Sequence, residues 1–310
     1  MHPAFSILLF TTLSGTAQGL VVALALASLL GVPMPPGFLS HALLVAEVLL
    51  LAGLGASFLH LGRKSRAWRA VLMWRTSWMS REVIVLPAFI GLVGLWWLAE
   101  WAGATERLGF LLPLLAIVGA LVLWYCTAMI YACLRFIEEW AHPLTIANFT
   151  LIGLASGMLL ACALATLSGA SAMVAATGPV ALVLTLAAWM VRALSLHRNA
   201  GIRHKSTLQS ATGIQSPQLV QKSMGMSAGA FNTREFFHGA SLAAMQNARL
   251  GFQLLGFALP ALLMLWGLSS HHSWPWVWAV LVQAPGLIAE RWVFFAQAKH
   301  PQNLYYQVVS

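Results

Sequence analysis

The sequence predicts an all-α integral membrane protein with eight transmembrane helices and both termini in the cytoplasm. Of its 310 residues, 60% are hydrophobic and only 8% are charged, whereas a soluble domain is about 45–50% apolar and about 25% charged. The mean hydropathy is +0.80. This composition excludes soluble domains, including soluble DNA-binding proteins. The formal charge of +9 therefore indicates membrane topology rather than a nucleic-acid partner.

Eight apolar stretches are long enough to cross a membrane, which takes about 20 residues per helix. Turn-forming residues interrupt them at 32–37, 141–143 and 270–272. The first stretch lacks a preceding Lys or Arg and a cleavage site, so we expect a retained span rather than a signal peptide. The predicted spans are Ala4–Leu30, Leu39–Leu61, Val83–Trp101, Gly109–Leu134, Ile146–Leu167, Thr177–Leu196, Leu250–Ser269 and Trp274–Ala296.

The basic residues predict the orientation of these spans. Eight spans place the N-terminus, the even-numbered connectors and the C-terminus on one side. That side and its flanks carry 16 of the 17 Lys and Arg residues, and only Arg107 falls on the other. The positive-inside rule then predicts that both termini are cytoplasmic.

Two connectors are longer than turns. Residues 62–82 interleave Arg with Trp, which predicts an amphipathic segment at the membrane interface. Residues 197–249 are polar and rich in Ser, Gln and Gly, so this loop is either disordered or held by a partner. The GxxxG pairs Gly15/Gly19 and Gly153/Gly157 predict close helix packing.

Ionisable residues inside a membrane are candidate functional groups. Glu47 lies within the second span, where a helix-packing hydrogen bond or a protonated polar contact is the simpler interpretation. Glu290 and Arg291 lie near the end of the last span, and we expect them to form an interfacial anchoring pair.

A second group of residues predicts quinone chemistry at the cytoplasmic surface. His60 ends the second span, Arg66 lies in the basic connector and Glu82 opens the third span. Histidine can exchange a proton near pH 7, a carboxylate can relay that proton, and arginine can stabilise a developing oxyanion. A quinone needs these three functions. The alternative is a snorkelling histidine beside arginines that bind lipid headgroups.

The positions of the cysteines and histidines give little indication of a metal or haem cofactor. Cys126, Cys133 and Cys162 form no CxxC motif, so the chain alone cannot ligate an iron–sulfur cluster or a structural zinc. The predicted spans carry no central histidine. A haem between His41 and His271 or His272, at the outer side, stays open as an alternative.

Four segments of the chain resemble one family of membrane anchors. FLHLGRKSRAWRAVLMWRTSWMSREV (58–83) and YACLRFIEEWAHPLTIANFTLIGLASG (131–157) resemble segments of the DmsC-type anchor subunits of dimethyl-sulfoxide-reductase-family molybdoenzymes. AFNTREFFH (230–238) and ERWVFFAQAKHPQNLYYQ (290–307) are similar to the SoeC-type variant that occurs with sulfite-oxidising enzymes.

The resemblance implies a haem-free, single-domain anchor over residues 1–310 in a bacterial inner membrane. It would exchange electrons between a four-cluster iron–sulfur subunit and a quinone, either ubiquinone or menaquinone, while a molybdopterin subunit oxidises sulfite. By motif, the family's quinone-site residues fall on His60, Gly62, Arg66 and Glu82. The alternatives are a quinol-oxidising anchor of a dimethyl sulfoxide reductase-like enzyme, a purely structural anchor or a secondary transporter.

Overall fold

Eight helices long and apolar enough to cross a membrane dominate the computed structural model, which describes residues 3–59, 61, 63–104, 109–220, 239–270, 272 and 274–301. Within these residues the regular structure is entirely helical. The prediction of an all-α protein with eight spans is confirmed. The spans are α1 (Phe5–Leu29), α2 (Phe38–Leu59), α3 (Trp78–Trp101), α4 (Leu111–Ala132), α5 (Pro143–Leu167), α6 (Ser171–Ala200), α8 (Leu242–Ser270) and α9 (Trp274–Ala296).

Helices α3, α5, α6 and α8 begin three to eight residues earlier than the hydropathy pattern predicted, and a serine cap explains two of these starts. Helix α3 begins at Trp78 rather than Val83, because the Ser77 side chain accepts a hydrogen bond from the backbone N–H of Ser80 and caps the helix. Helix α8 begins at Leu242 rather than Leu250, after a similar cap by Ser241. Polar first turns therefore extend both helices beyond their apolar stretches.

The two long connectors contain short helices. A 3₁₀ helix, Lys64–Met73, has no buried residue and packs against α3, which fits the predicted interfacial segment. The predicted 197–249 connector is shorter in the structure, because α6 continues to Ala200 and α8 begins at Leu242. It contains α7 (Leu208–Thr212), while the motif at 230–238 lies outside the described residues.

Helix α1 is the central helix of the bundle, packing against α2, α4, α5 and α9. Its closest approach is to α5, where the two GxxxG pairs meet. A Cβ built at Gly157 would overlap the backbone of Gly19 and Leu20, and one at Gly153 would lie 2.9 Å from the carbonyl oxygen of Gly15. The predicted glycine-mediated packing is confirmed.

Helix α8 contains one π-helical turn, Leu254–Ala258, in the middle of its span. Gly256 in this turn lies directly against Gly286 of α9. The carbonyl oxygen of Gly256 accepts a hydrogen bond from Nε2 of Gln283, at 3.3 Å. The widened turn and the two glycines thus allow α8 and α9 to cross closely.

Consecutive spans run in opposite directions, so the connectors after α2, α4 and α6 lie at the same end of the bundle as the two termini. We call this the basic end, because its described connectors, the helix ends beside them and the C-terminal tail carry most of the chain's Lys and Arg residues. Arg107, the exception to the predicted segregation, lies outside the described residues.

Candidate functional site

Glu82 is a buried carboxyl one turn inside the basic end of α3. Its side chain is 7% exposed, and its Oε1 accepts a short hydrogen bond from the hydroxyl of Thr127 on α4. Thr127 is equally buried. The prediction that Glu82 opens the third span was wrong by about one turn, because the Ser77 cap moves the start of α3 outward.

The first turn of α3 is fixed by Arg81. Its Nε donates to the carbonyl oxygen of Trp74 and its Nη2 to that of Arg75, both at 2.9 Å. Its guanidinium also lies 4.0 Å from the centre of the Trp78 ring, and that ring packs edge-on against Tyr125 of α4 at 5.3 Å. These contacts connect the 62–82 connector to α3 and α4 beside the buried carboxyl.

Arg66 lies on the 3₁₀ helix at the same end of the bundle, with an exposed side chain. Its backbone N–H donates to the carbonyl oxygen of Arg63 at 3.0 Å. Among the described residues, Arg66 and Glu82 form no ion pair with each other. The 3₁₀ helix packs against α3, so the two residues lie on neighbouring elements.

A buried charge cluster lies deeper at the basic end, between α6 and α9. Nε of Arg192 is 2.6 Å from Oε1 of Glu290, and Nη1 of Arg291 is 3.3 Å from its Oε2. The three residues are 1%, 0% and 3% exposed, respectively. The expectation that Glu290 and Arg291 anchor the chain at the interface was therefore wrong.

The length of α6 explains why these residues are buried rather than interfacial. Because α6 continues to Ala200, Arg192 lies eight residues, or about 12 Å, inside its end. Glu290 and Arg291 belong to the buried face of α9. Glu290 pairs with both Arg192 and Arg291 inside the bundle, and neither residue reaches the membrane surface.

Aromatic rings enclose the cluster. The guanidinium carbon of Arg192 lies 5.5 Å from the centre of the Phe252 ring, and that of Arg291 lies 4.0 Å from the centre of the Phe149 ring. Cation–π contacts of this kind partly replace lost hydration. The cluster thus contains two cationic side chains and one anionic side chain.

A small polar pocket adjoins the cluster, between α1, α5 and α9. Its lining includes the guanidinium of Arg291 and the hydroxyls of Thr11, Thr12, Thr16 and Ser156. The space is large enough for about one water molecule. The Thr12 hydroxyl has no hydrogen-bond partner among the described residues, and Nη1 of Arg291 contacts Glu290 only as an ion pair, so a single water is the ligand that this pocket suits.

Tyr131 lies between the cluster and Glu82. Its ring stacks on Phe149 at a centroid distance of 5.6 Å and an interplanar angle of 17°. Tyr131 therefore packs on the same ring that the Arg291 guanidinium covers.

The connector between α4 and α5 forms hydrogen bonds with the end of α6 and with the chain that follows it. Nη1 of Arg198 donates to the carbonyl oxygen of Glu138 at 2.9 Å, and the backbone N–H of Lys205 donates to Oε1 of Glu138 at 3.3 Å. Nε2 of His204 lies 3.4 Å from Oε1 of Glu139. Residues 198–205 are therefore fixed at the basic end.

His142 caps the start of α5, where its Nδ1 accepts a hydrogen bond from the backbone N–H of Leu144 at 3.2 Å. Partial burial lowers the pKa of His142, and the nearby charge of Arg198 lowers it further. Both effects favour the neutral imidazole, which is the form that can accept this hydrogen bond.

The remaining candidate groups are isolated. Glu47 lies against Gly94 of α3, and its Oε2 makes no hydrogen bond, so the expected packing hydrogen bond does not involve this atom. Within the described part of the chain, no three His, Cys, Asp or Glu residues cluster closely enough to hold a metal ion.

Comparison with known proteins identifies the family. The family model of the DMSO reductase anchor subunit (DmsC) matches residues 1–295. The chain belongs to the DmsC family. It is also 46% identical over 329 aligned residues to the C subunit of the sulfite dehydrogenase of Allochromatium vinosum, with all of both chains covered. The predicted DmsC-type resemblance, including its SoeC-like character, is confirmed. The chain is a multi-pass membrane anchor subunit of an oxidoreductase complex, which implies catalytic and electron-transfer partner subunits.

For this DmsC-family anchor, the structure describes two of the four predicted quinone-site residues and shows no contact between them. Glu82 is buried and Arg66 is exposed beside α3, whereas His60 and Gly62 lie outside the described residues. Sequence reasoning missed Thr127, since a threonine inside an apolar helix gives no signal of a partner 45 positions away.

Arg192 could have been found from the sequence. It is a charged residue followed by further helix-compatible residues, Ala193–Ala200. The predicted span Thr177–Leu196 already included Arg192 near its end, and extending the helix to Ala200 places Arg192 deeper in the membrane.

Proposed function

We propose that the chain is the quinone-reactive membrane anchor of a molybdoenzyme that oxidises sulfite to sulfate. The full-length similarity to the C subunit of a sulfite dehydrogenase supports the substrate. The buried Glu82 carboxyl at the basic end supports proton-coupled chemistry in this chain. A buried carboxyl with a specific hydrogen-bond donor is typical of functional sites.

The reaction is divided among subunits. A molybdopterin subunit would oxidise sulfite with water to sulfate, releasing two electrons and two protons. An iron–sulfur subunit with four clusters would pass the electrons to the anchor. There a quinone would take up two electrons and two protons to become a quinol. The anchor therefore needs a proton-conducting site beside its partner, not a substrate-oxidising one.

His60, Gly62, Arg66 and Glu82 form this proposed quinone site. The imidazole of His60 donates a hydrogen bond to one carbonyl oxygen of the headgroup and transfers its proton. Glu82 orients this imidazole or returns a proton to it. Arg66 supplies positive charge as the oxygen becomes negative, and Gly62, without a side chain, leaves room for the ring.

The described residues fit a quinone. Among the described residues, the carboxyl of Glu82 accepts a hydrogen bond from one hydroxyl, that of Thr127, which leaves its second oxygen for an imidazole. The neighbouring 3₁₀ helix exposes large apolar side chains, including Leu72 and Trp74 just after it. Such a surface suits an isoprenoid molecule arriving from the lipid.

Replacing His60 tests the site. In membranes containing the whole complex, we expect His60→Ala to abolish sulfite-dependent quinone reduction. Sulfite-dependent reduction of a soluble artificial acceptor by the partner subunits should persist. His41→Ala, at the opposite end of the bundle, is the matched control and should retain both activities. If His60→Ala keeps quinone-linked turnover and binding of a quinone analogue, the site lies elsewhere.

We also propose that the basic end faces the cytoplasm and carries the iron–sulfur subunit. The positive-inside rule supports this orientation, and the exposed 3₁₀ helix together with residues 201–220 would form the contact surface. A C-terminal alkaline phosphatase fusion should be inactive and a green fluorescent protein fusion fluorescent; the reverse pattern overturns the orientation. Crosslinks from Lys205 should reach the iron–sulfur subunit, and crosslinks to lipid alone would contradict this surface.

The family name supports one second candidate, a quinol-oxidising anchor of a reductase. Assays on the same membranes distinguish the two directions of electron transfer, quinone reduction and quinol oxidation. Sulfite-driven quinone reduction supports the first proposal, whereas quinol-driven reduction of dimethyl sulfoxide without sulfite activity supports the second.

A further inference from the structure

We propose that Arg81 is a positioning residue for the quinone site, because its side chain fixes the 62–82 connector against the helix that carries Glu82. This inference rests on the proposed quinone site, to which the connector contributes Arg66. Arg81 is not one of the proposed quinone ligands, and its guanidinium is engaged by groups of the protein itself.

The connector has little apolar packing to hold it in place. Its 3₁₀ helix, Lys64–Met73, contains no buried residue, although it lies against α3. Burial of apolar surface is the main force that holds structural elements together. Because this force is weak here, specific polar contacts must determine where the 3₁₀ helix lies.

Arg81 supplies such contacts at the C-terminal end of the 3₁₀ helix. Trp74 is the C-cap of this helix, and Arg75 follows it. Nε of Arg81 donates to the carbonyl oxygen of Trp74 and Nη2 to that of Arg75, both at 2.9 Å. A guanidinium holds its N–H donors in a rigid planar fork. One side chain therefore fixes two consecutive residues of the connector backbone.

The same guanidinium is tied to the crossing of α3 and α4. It lies 4.0 Å from the centre of the Trp78 ring, and that ring packs edge-on against Tyr125 of α4 at 5.3 Å. Glu82, the next residue after Arg81, is hydrogen-bonded to α4 as well. Arg81 thus holds the 3₁₀ helix, with Arg66 on it, at the helix end that carries the buried carboxyl.

Loss of these contacts should affect quinone binding rather than the chemistry. A freed connector occupies the binding position for only a fraction of the time, and the apparent affinity falls in proportion to that fraction. A connector in place for about one-tenth of the time raises the KM for quinone about tenfold. Saturating quinone restores the assembled site, so kcat should be retained.

The experiment measures sulfite-dependent reduction of a short-chain quinone by the whole complex in membranes, over a range of quinone concentrations. Arg81→Met should raise the quinone KM about tenfold and leave kcat within about twofold. Arg81→Lys keeps the charge but not the fork, so its KM should resemble that of Arg81→Met. Arg75→Met is the matched control, because it removes a cation from the same connector and keeps the carbonyl oxygen that Arg81 contacts. Its KM should match the wild type.

Hydrogen exchange of the whole complex in detergent gives a second measurement. In Arg81→Met, the backbone amides of residues 63–77 should exchange faster, while the spans keep their protection. A merely structural role would lower turnover at every quinone concentration without changing the KM. If Arg81→Met does not assemble, Trp78→Ala removes the ring beside the guanidinium and should raise the KM in the same direction, with Trp78→Phe as its control.

The outcomes also distinguish this inference from the proposed function. If His60→Ala keeps quinone-linked turnover, the proposed quinone site fails. If His60→Ala abolishes that turnover but Arg81→Met leaves the quinone KM unchanged, the site stands and this inference is overturned. An equal rise of the KM in Arg75→Met would also overturn it, because loss of positive charge alone would then explain the effect.

Discussion

Gly157→Ala should force apart α1 and α5, whose backbones meet at the GxxxG crossing. A Cβ at this position would overlap the backbone of Gly19 and Leu20 on α1. Backbone atoms cannot rotate away as a flexible side chain can. Real Cβ atoms do not come within 3.0 Å of such neighbours and are ordinarily 3.4 Å or more away. The helices must therefore move apart by about 1 Å, a gap at which each interhelical contact forfeits about a quarter to a half of its dispersion energy.

The expected loss of stability in Gly157→Ala follows from the cost of overpacking a core. Added methylene groups in a packed core cost about 1–3 kcal/mol, and this site belongs at the upper end because the obstruction is backbone. A loss of about 3 kcal/mol corresponds to a fall of about 6–12 °C in melting temperature for a protein of this size class. Gly91→Ala on α3 is the matched control, because its Cβ would meet nothing within 4 Å. It should be neutral or slightly stabilising, since alanine is the better helix former.

The assay uses the whole complex in detergent, with a fluorescent tag on the anchor so that the melting of this subunit alone is followed. Samples are heated stepwise, and the intact fluorescent fraction is separated by size-exclusion chromatography. The reasoning is refuted if Gly157→Ala melts within about one degree of Gly91→Ala. In that case the α1–α5 crossing is loose enough to absorb a methyl group.

Two further predictions concern polar contacts at the basic end. His142→Asn keeps a helix-capping side chain that does not titrate. The folded-state pKa of His142 lies below its usual value, so its contribution to stability is complete above about pH 6.5 and is lost as the pH falls through the folded-state pKa. The variant should thus lose less melting temperature than the wild type between pH 7 and pH 5, and an equal loss would contradict a neutral cap. Thr127→Val removes the hydrogen bond to Glu82 and should lower quinone-linked turnover several-fold, while Thr127→Ser should restore it. Equal turnover in both variants would show that the hydroxyl is not needed.

The sequence predicted the helices well, because hydropathy and length alone determine which segments cross a membrane. Their ends were less predictable. Ser77 and Ser241 start helices in polar sequence, where hydropathy contains no information. The close α1–α5 crossing was predictable from Gly15, Gly19 and the matching pair on α5, since glycine spacing directly reports which helix faces can approach.

The candidate site was predictable only in part, because its residues were found by resemblance and its partners arise from tertiary structure. Thr127 meets Glu82 across two helices. Likewise, Arg192 on α6 meets Glu290 on α9, far along the chain. A charged residue near the end of an apolar stretch is compatible with either an interfacial or a buried position, and only the packing of the other helices decides which it takes.

The ion pair between Arg192 and Glu290 has a consequence for biogenesis. Helix α6 leaves the ribosome before α9 has been made, and about a hundred residues of chain separate the two partners. At about 5–20 residues per second, that interval lasts about 5–20 s. During it, an unpaired arginine in a helix costs about 2.5–3.5 kcal/mol for membrane insertion. The sixth helix should therefore stay in the insertion channel, or at its lipid-facing exit, until the last helix arrives. A chain truncated before α9 should be recognised as incomplete and degraded.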